Sequence, residues 1–285
     1  MLEHKRELEE LIAIYILEGN MLDLYVEGPT DKFIIDNYLD YKRKNKSVIE
    51  IDDVNFSSIK EKYKDLNLYS NKDKLIALSR ILSENKITTR VKCIVDRDFD
   101  GLLNNIEQNE FLLYTDFSCL ESYFYCKEHI DKLLSFGIRN YPIETDFVIN
   151  QIGNVLYGIF KLRLINKHFS FNFTKPKIES NTPVNKKTGV CDFNFTNYLN
   201  IFIKSNNISD RAEEIEHFLQ VIEEKIDSDI RYNLNGHDFV EVLFNYINKT
   251  KNTANFRLEN FERTFYLAVQ PNHLDRYVLF ETLSE

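Results

Sequence analysis

Residues 2–18 place apolar side chains at Leu8, Leu11, Ile12, Tyr15 and Ile16, a spacing that predicts an amphipathic helix. The pattern then shortens. Residues 21–26 (Met-Leu-Asp-Leu-Tyr-Val) read as a strand, broken by Glu27-Gly28-Pro29-Thr30-Asp31, after which Phe33, Ile34, Tyr38 and Leu39 resume helical spacing. Pro29 suits a first helical turn, where its missing N–H leaves nothing unsatisfied. Residues 48–51, 91–95 and 111–114 are further short apolar runs of strand type, and 75–82 read as a second helix. Strands separated by helical stretches predict an α/β domain over 1–140, with a largely parallel sheet flanked by helices. Beyond it, 141–285 reads as a mostly helical region, with helices expected at 144–168, 209–226, 238–249 and 257–268. Residues 170–195, which hold Pro176, Asn181, Pro183, Asn185 and Gly189, read as a loop. Phe169, Phe171, Phe173, Phe193 and Phe195 alternate with polar residues, which predicts strands or a hairpin with one apolar face.

Composition narrows the class. Of 285 residues, 43% are hydrophobic and 13% aromatic, enough to fill a core, and 8 Gly and 5 Pro exclude collagen-like and low-complexity chains. The four cysteines (93, 119, 126 and 191) form no CxxC pair and read as reduced thiols of a cytoplasmic protein. The early apolar run 11–17 is far shorter than the about 20 residues that span a membrane. The net charge of −9 argues against a nucleic-acid partner at the scale of the whole chain. The local distribution is uneven. Residues 161–190 carry Lys161, Arg163, Lys167, Lys175, Lys177, Lys186 and Lys187 against Glu179 alone, whereas 207–230 hold eight acids and two cations. A basic, Phe- and Asn-bearing loop suits contact with a nucleic-acid strand; a solvated face is the simpler account.

The candidate chemistry lies in carboxylates that directly follow strands: Glu27 after one, and Asp96, Asp98 and Asp100 after another. In an open parallel sheet ligands sit at the carboxyl ends of the strands. Packed acids repel and call for a cation, and an all-oxygen set selects a hard ion such as Mg²⁺, Mn²⁺ or Ca²⁺. Several readings are open. The acids could form a solvated turn. Asp96-x-Asp98-x-Asp100-Gly101, with Glu107 at position twelve, fits an EF-hand loop, but a β-type run enters it and no second loop pairs with it. Asp96 could be a phosphotransfer nucleophile with Asp98 as acid, which leaves Glu27 without a role. A two-carboxylate metal clamp for phosphoryl transfer uses all of them.

Leu24-Tyr-Val-Glu27-Gly-Pro-Thr-Asp31, followed some seventy residues on by Ile94-Val-Asp96-Arg-Asp98-Phe-Asp100, resembles the Toprim signature of topoisomerases, bacterial primases and OLD-family nucleases. With Cys119-Leu-Glu121-Ser-Tyr-Phe and Asn235-Gly-His-Asp238, the chain is similar to the OLD-like Toprim nuclease effectors of bacterial anti-phage systems, notably the phage anti-restriction-induced system. Toprim similarity covers about residues 20–140. The resemblance implies a Toprim-like fold and a Mg²⁺- or Mn²⁺-dependent endonuclease, the toxic effector of an antiviral defence complex. It implies Glu27, Asp96 and Asp98 as catalytic metal ligands and Asp100 and Glu121 as further ligands. It favours RNA, particularly tRNA, with DNA as the OLD-type alternative. It also implies an ABC-type ATPase partner, and it allows a homodimer in the active form. The sequence holds no GxxxxGK[ST] motif, so ATP chemistry would come from that partner. A non-catalytic module that holds a metal structurally is the reading from another class. Asp238 and Glu241 have capping-box spacing and are expected to cap a helix, leaving His237 free to face the site.

Overall fold

The computed structural model describes residues 5–251 and 256–285, so the first three residues of the helix expected from residue 2 lie outside the described residues. Along the chain run β1 (Arg6–Glu7), α1 (Leu8–Leu17), β2 (Asp23–Val26), α2 (Pro29–Lys42), β3 (Ser47–Glu50), β4 (Val54–Asn55), α3 (Asn71–Glu84), β5 (Lys92–Val95), α4 (Asp100–Leu103) and β6 (Leu112–Tyr114). Helices α5 (Lys127–Lys132), α6 (Thr145–His168), α7 (Ile178–Asn181), α8 (Phe195–Ser205), α9 (Ala212–Glu223), α10 (Gly236–Thr250), α11 (Leu258–Leu267) and α12 (Val278–Ser284) follow. The α/β class with a parallel sheet and a helical C-terminal region is the one the pattern predicts.

The chain divides into two compact units, and the division is not a single break near residue 140. The first unit comprises 1–97, 105–116 and 270–285; the second comprises 98–104 and 117–269. Among the described residues no helix is long and apolar enough to cross a membrane.

In the first unit β3, β2, β5 and β6 form a sheet in that order, every neighbouring pair parallel. Tyr25, Cys93 and Val95 join α1 and α3 in one buried cluster with Leu11, Tyr15, Leu75, Leu78 and Leu82. Alternation along a strand turns Leu24, Val26 and Ile94 to the opposite face, and they too are buried. A sheet covered on both faces needs continuous apolar strands, which is why β2 reads as an unbroken run. Gly28-Pro29-Thr30-Asp31 starts α2 as the sequence suggests: Pro29 opens the helix, and the Asp31 carboxylate accepts the Gly28 N–H at 3.1 Å. Helix α12 returns to this unit, where Phe280 meets Tyr38 edge-on at 4.8 Å.

The second unit is built around α6, whose buried side chains include Val148, Ile152, Leu156, Ile159 and Leu164, with α5, α8, α9 and α10 packed against it. The alternating phenylalanines do not form the expected hairpin. Phe169, Phe171 and Phe173 stack in a row with ring centres 5.3 and 4.7 Å apart, and the backbone around Val184 and Cys191 makes one isolated antiparallel bridge. Phe195 opens α8, a helix that lies past the expected loop and that no sequence pattern predicted. Asn194 caps it by accepting the Asn197 N–H at 2.9 Å.

Candidate functional site

Strand order places one feature of the first unit in relief. From β2 the chain crosses by α2 to β3 on one side, whereas β5 leads to β6 on the other. The direction of winding therefore reverses between β2 and β5, the position where open α/β sheets form a crevice at the carboxyl ends of their strands. Glu27 is the first residue after β2 and Asp96 the first after β5. The two meet: the Asp96 N–H donates to Glu27 Oε1 at 3.2 Å. Asn71, in the first turn of α3, donates its side-chain N–H to the Glu27 carbonyl at 2.7 Å. On the other side, the Arg97 N–H donates to Thr115 Oγ1 at 3.0 Å and Arg97 Nε to the Thr115 carbonyl at 3.2 Å. The Thr115 N–H in turn donates to the Val95 carbonyl at 3.0 Å. Both carboxylate-bearing turns are thus tied to neighbouring elements. Asn71 and Thr115 brace these turns, which motif reading passed over; only their places at an element end marked them in the sequence.

Beyond Arg97 the chain enters the second unit. Asp98 takes a left-handed backbone conformation (φ 46°), uncommon for a residue with a side chain, and its N–H donates to the Ser118 carbonyl at 2.8 Å. Asp100 begins the single turn α4. This short segment belongs to the second unit because its apolar side chains do: Phe99, Leu102 and Leu103 pack on Phe160, Leu164 and Ile222. Phe99 lies 5.0 Å from Phe160, ring to ring. The EF-hand reading fails here. A strand rather than a helix enters the loop, and Glu107 forms a two-pronged ion pair with Arg80, at 2.9 and 2.7 Å from Nε and Nη2.

Glu121 is buried in a turn of 3₁₀ helix, accepts the Tyr266 hydroxyl at 2.9 Å, and lies so close to Gly236 that a Cβ there would collide with its carboxylate. Burial together with the Glu121 charge pushes the Tyr266 pKa up, which keeps that hydroxyl a donor. Gly236 is the first residue of α10, so a carboxylate beside it also suits the positive end of the helix. This is a sufficient structural account of Glu121. Asp238 does not cap α10. Asn235 does, by accepting the Asp238 N–H at 3.4 Å, while the Asp238 carboxylate is 2% exposed and paired with Arg163 and Lys175. Burial alone would raise its pKa, but hydrogen bonds and charge from Arg163 and Lys175 outweigh it and hold the carboxyl below its ordinary range. His237 extends into solvent, 84% exposed, with Glu262 at 3.9 Å.

The seven cations of 161–190 separate into two groups. Lys161 pairs with Glu223, Arg163 with Asp238, and Lys175 with Asp238 and Glu241, so these three offset acids of their own unit. Lys167, Lys177, Lys186 and Lys187 are exposed and make no ion pair among the described residues. Among the described residues no disulfide joins any of the four cysteines, and Cys93 and Cys119 are buried; burial pushes the Cys93 thiol up and makes it unreactive.

No protein-family model matches the chain, and no curated protein matches it significantly.

Proposed function

We propose that this chain is a divalent-metal-dependent endonuclease that cleaves phosphodiester bonds. The observation that carries the reading is the pairing of Glu27 with the Asp96 turn at the reversal of the parallel sheet, with Asp98 two residues further along the chain. The donor set fits a hard cation because it is all carboxylate oxygen. Gly28 fits as well: its backbone is extended, so its conformation does not demand glycine, and a Cβ there would meet nothing within 4 Å. Open space beside Glu27 leaves room for a phosphate to approach the backbone. Glu27 and Asp96 would hold Mg²⁺ or Mn²⁺, and Asp98 and Asp100, further along the chain, are the ligands that the sequence resemblance adds. When bound, the ion supplies Lewis-acid polarisation of the scissile phosphate.

The protein's own share of the chemistry follows from what fixes these groups. The Asp96 N–H holds one oxygen of Glu27 in place, and a Glu27 carboxylate oxygen accepts the proton of an attacking water. The Arg97–Thr115 contacts keep the Asp96 turn from moving when charge gathers on the phosphate.

The sequence resemblance extends the proposal to biology: a toxic effector of an anti-phage complex, acting on RNA such as tRNA and held inactive by an ABC-type ATPase. Induced expression in cells, followed by sequencing of RNA ends, tests this. The proposal expects discrete new tRNA ends with the wild-type chain and none with Glu27→Gln or Asp96→Asn. Breaks confined to DNA would move the assignment to an OLD-type DNA nuclease. Intact RNA and DNA in toxic cells would leave a metal-holding module as the better account.

A further inference from the structure

The second unit contains an open groove of about 450 Å³, lined by Phe99, Arg163, Asn166, Lys167, Ser170 and Phe171. Its size falls within the about 300–1,000 Å³ typical of small-ligand sites. Two of its polar groups have unused capacity. Lys167 makes no ion pair among the described residues. Arg163 commits Nε and Nη2 to Asp238, which fixes the plane of its guanidinium and leaves Nη1 outside that pair. Asn166 is held in the wall by donating Nδ2 to the Phe173 carbonyl at 2.9 Å, with its Oδ1 buried out of reach of the groove.

The remaining walls are aromatic. Phe171 stands in the row with Phe169 and Phe173, and the Arg211 guanidinium lies 4.9 Å from the ring centres of both Phe169 and Phe171. Phe99 also lines the groove and is the chain neighbour of Asp98. Asp98 is close enough to Arg163 for its charge to act on the guanidinium. Two cations and two phenyl rings meet the needs of one chemical class. Phosphate takes the cations and a base packs against the rings. A carboxylate ligand would use the cations but not the rings.

We infer that this groove receives one nucleotide of a single-stranded nucleic acid, its phosphate at Lys167 and Arg163 and its base against the aromatic lining of Phe99 and Phe171. The inference rests on the nuclease reading in that it places a substrate nucleotide beside Asp98. It is tested separately, by fluorescence anisotropy with labelled single-stranded RNA and DNA oligonucleotides in EDTA, where metal-dependent cleavage is off. Lys167→Glu should weaken binding at least tenfold, and Phe171→Ala several-fold. Lys64→Glu, which alters an exposed pair with Glu61 in the first unit, should change it less than twofold. Lys167→Ala should also lower the salt dependence of binding by about one ion. Lys167 is a surface side chain, so its variants fold even if Phe171→Ala does not.

The inference is overturned if the wild type binds neither probe, or if Lys167→Glu binds as tightly as wild type. It is also overturned if Lys64→Glu weakens binding equally. Normal binding by the groove variants, alongside Mg²⁺-dependent cleavage by the wild type, removes the groove and leaves the nuclease. Loss of binding in the variants, with no cleavage by any form, keeps the groove and removes the nuclease.

Discussion

Asp238 shows how a single residue can look functional and be structural. Its carboxylate is almost fully buried, and what keeps it charged is contact with Arg163 and Lys175. Because its folded pKa is lowered, its stabilisation is complete above pH about 4 and is lost as pH falls through the lowered value. Asp238→Asn should cost about 3 kcal/mol at neutral pH, the low end for breaking a buried pair since both cations are partly exposed. Acid titration of the melting temperature checks this: the gap between wild type and variant should close only below pH about 4. Glu121 gives a second case. If its work is to accept the Tyr266 hydroxyl, Glu121→Gln retains an acceptor of the same shape and should leave any nuclease activity within a few-fold of wild type. Gly236→Ala should lower thermal stability by about 1–3 kcal/mol, since the new Cβ has no room beside that carboxylate. The candidate ligands Glu27 and Asp96 were legible from motif and strand position. The structural duties of Glu121 and Asp238 were not, because their partners Tyr266, Arg163 and Lys175 are distant in sequence.

At the scale of elements, what could be read was what local pattern controls. The strands β2, β3, β5 and β6 and the helices α2, α3, α6 and α10 all fall where periodicity puts them, though the cap of α10 is Asn235 rather than Asp238. The 169–173 run was misread because alternation reports one-sided burial, and a row of stacked rings produces it without a strand ladder. Helix α12 was hidden for another reason. Its seven residues are too few for a periodic signal, and it is placed by long-range contacts: Phe280 on Tyr38, the Leu279 N–H on Asp116 at 3.1 Å, and Lys46 on the Leu283 carbonyl at 2.8 Å. Leu279, Phe280 and Leu283 are each at most 3% exposed. At about 1.5–3 kcal/mol per buried side chain, removing them costs on the order of 5 kcal/mol, comparable to the whole stability of many domains. A chain ending at residue 269 should therefore unfold at much lower denaturant concentration. Chemical denaturation followed by circular dichroism will detect this, and an unchanged midpoint would mean that α12 is dispensable.

For the molecule as a whole, the net charge of −9 is a poor guide to what it binds, because charge is spent locally. Three cations of the basic stretch neutralise acids of their own unit, and four remain exposed. The acids that matter for the proposed chemistry, Glu27 and Asp96, sit where a parallel sheet reverses its winding, a property of topology that no single segment of sequence carries. The central claim is that these two carboxylates serve a metal-dependent cut. Glutamine at position 27 keeps an oxygen to accept the Asp96 N–H, so Glu27→Gln should fold with a melting temperature within about 3 °C of wild type. The decisive measurement is cleavage of purified RNA and DNA with Mg²⁺ or Mn²⁺ by wild type, Glu27→Gln and Asp96→Asn, all free of any partner. The account predicts cleavage by wild type that EDTA abolishes, and a loss of at least a hundredfold in both folded variants. Equal cleavage by all three proteins, or none by a folded, metal-supplied wild type, would contradict it.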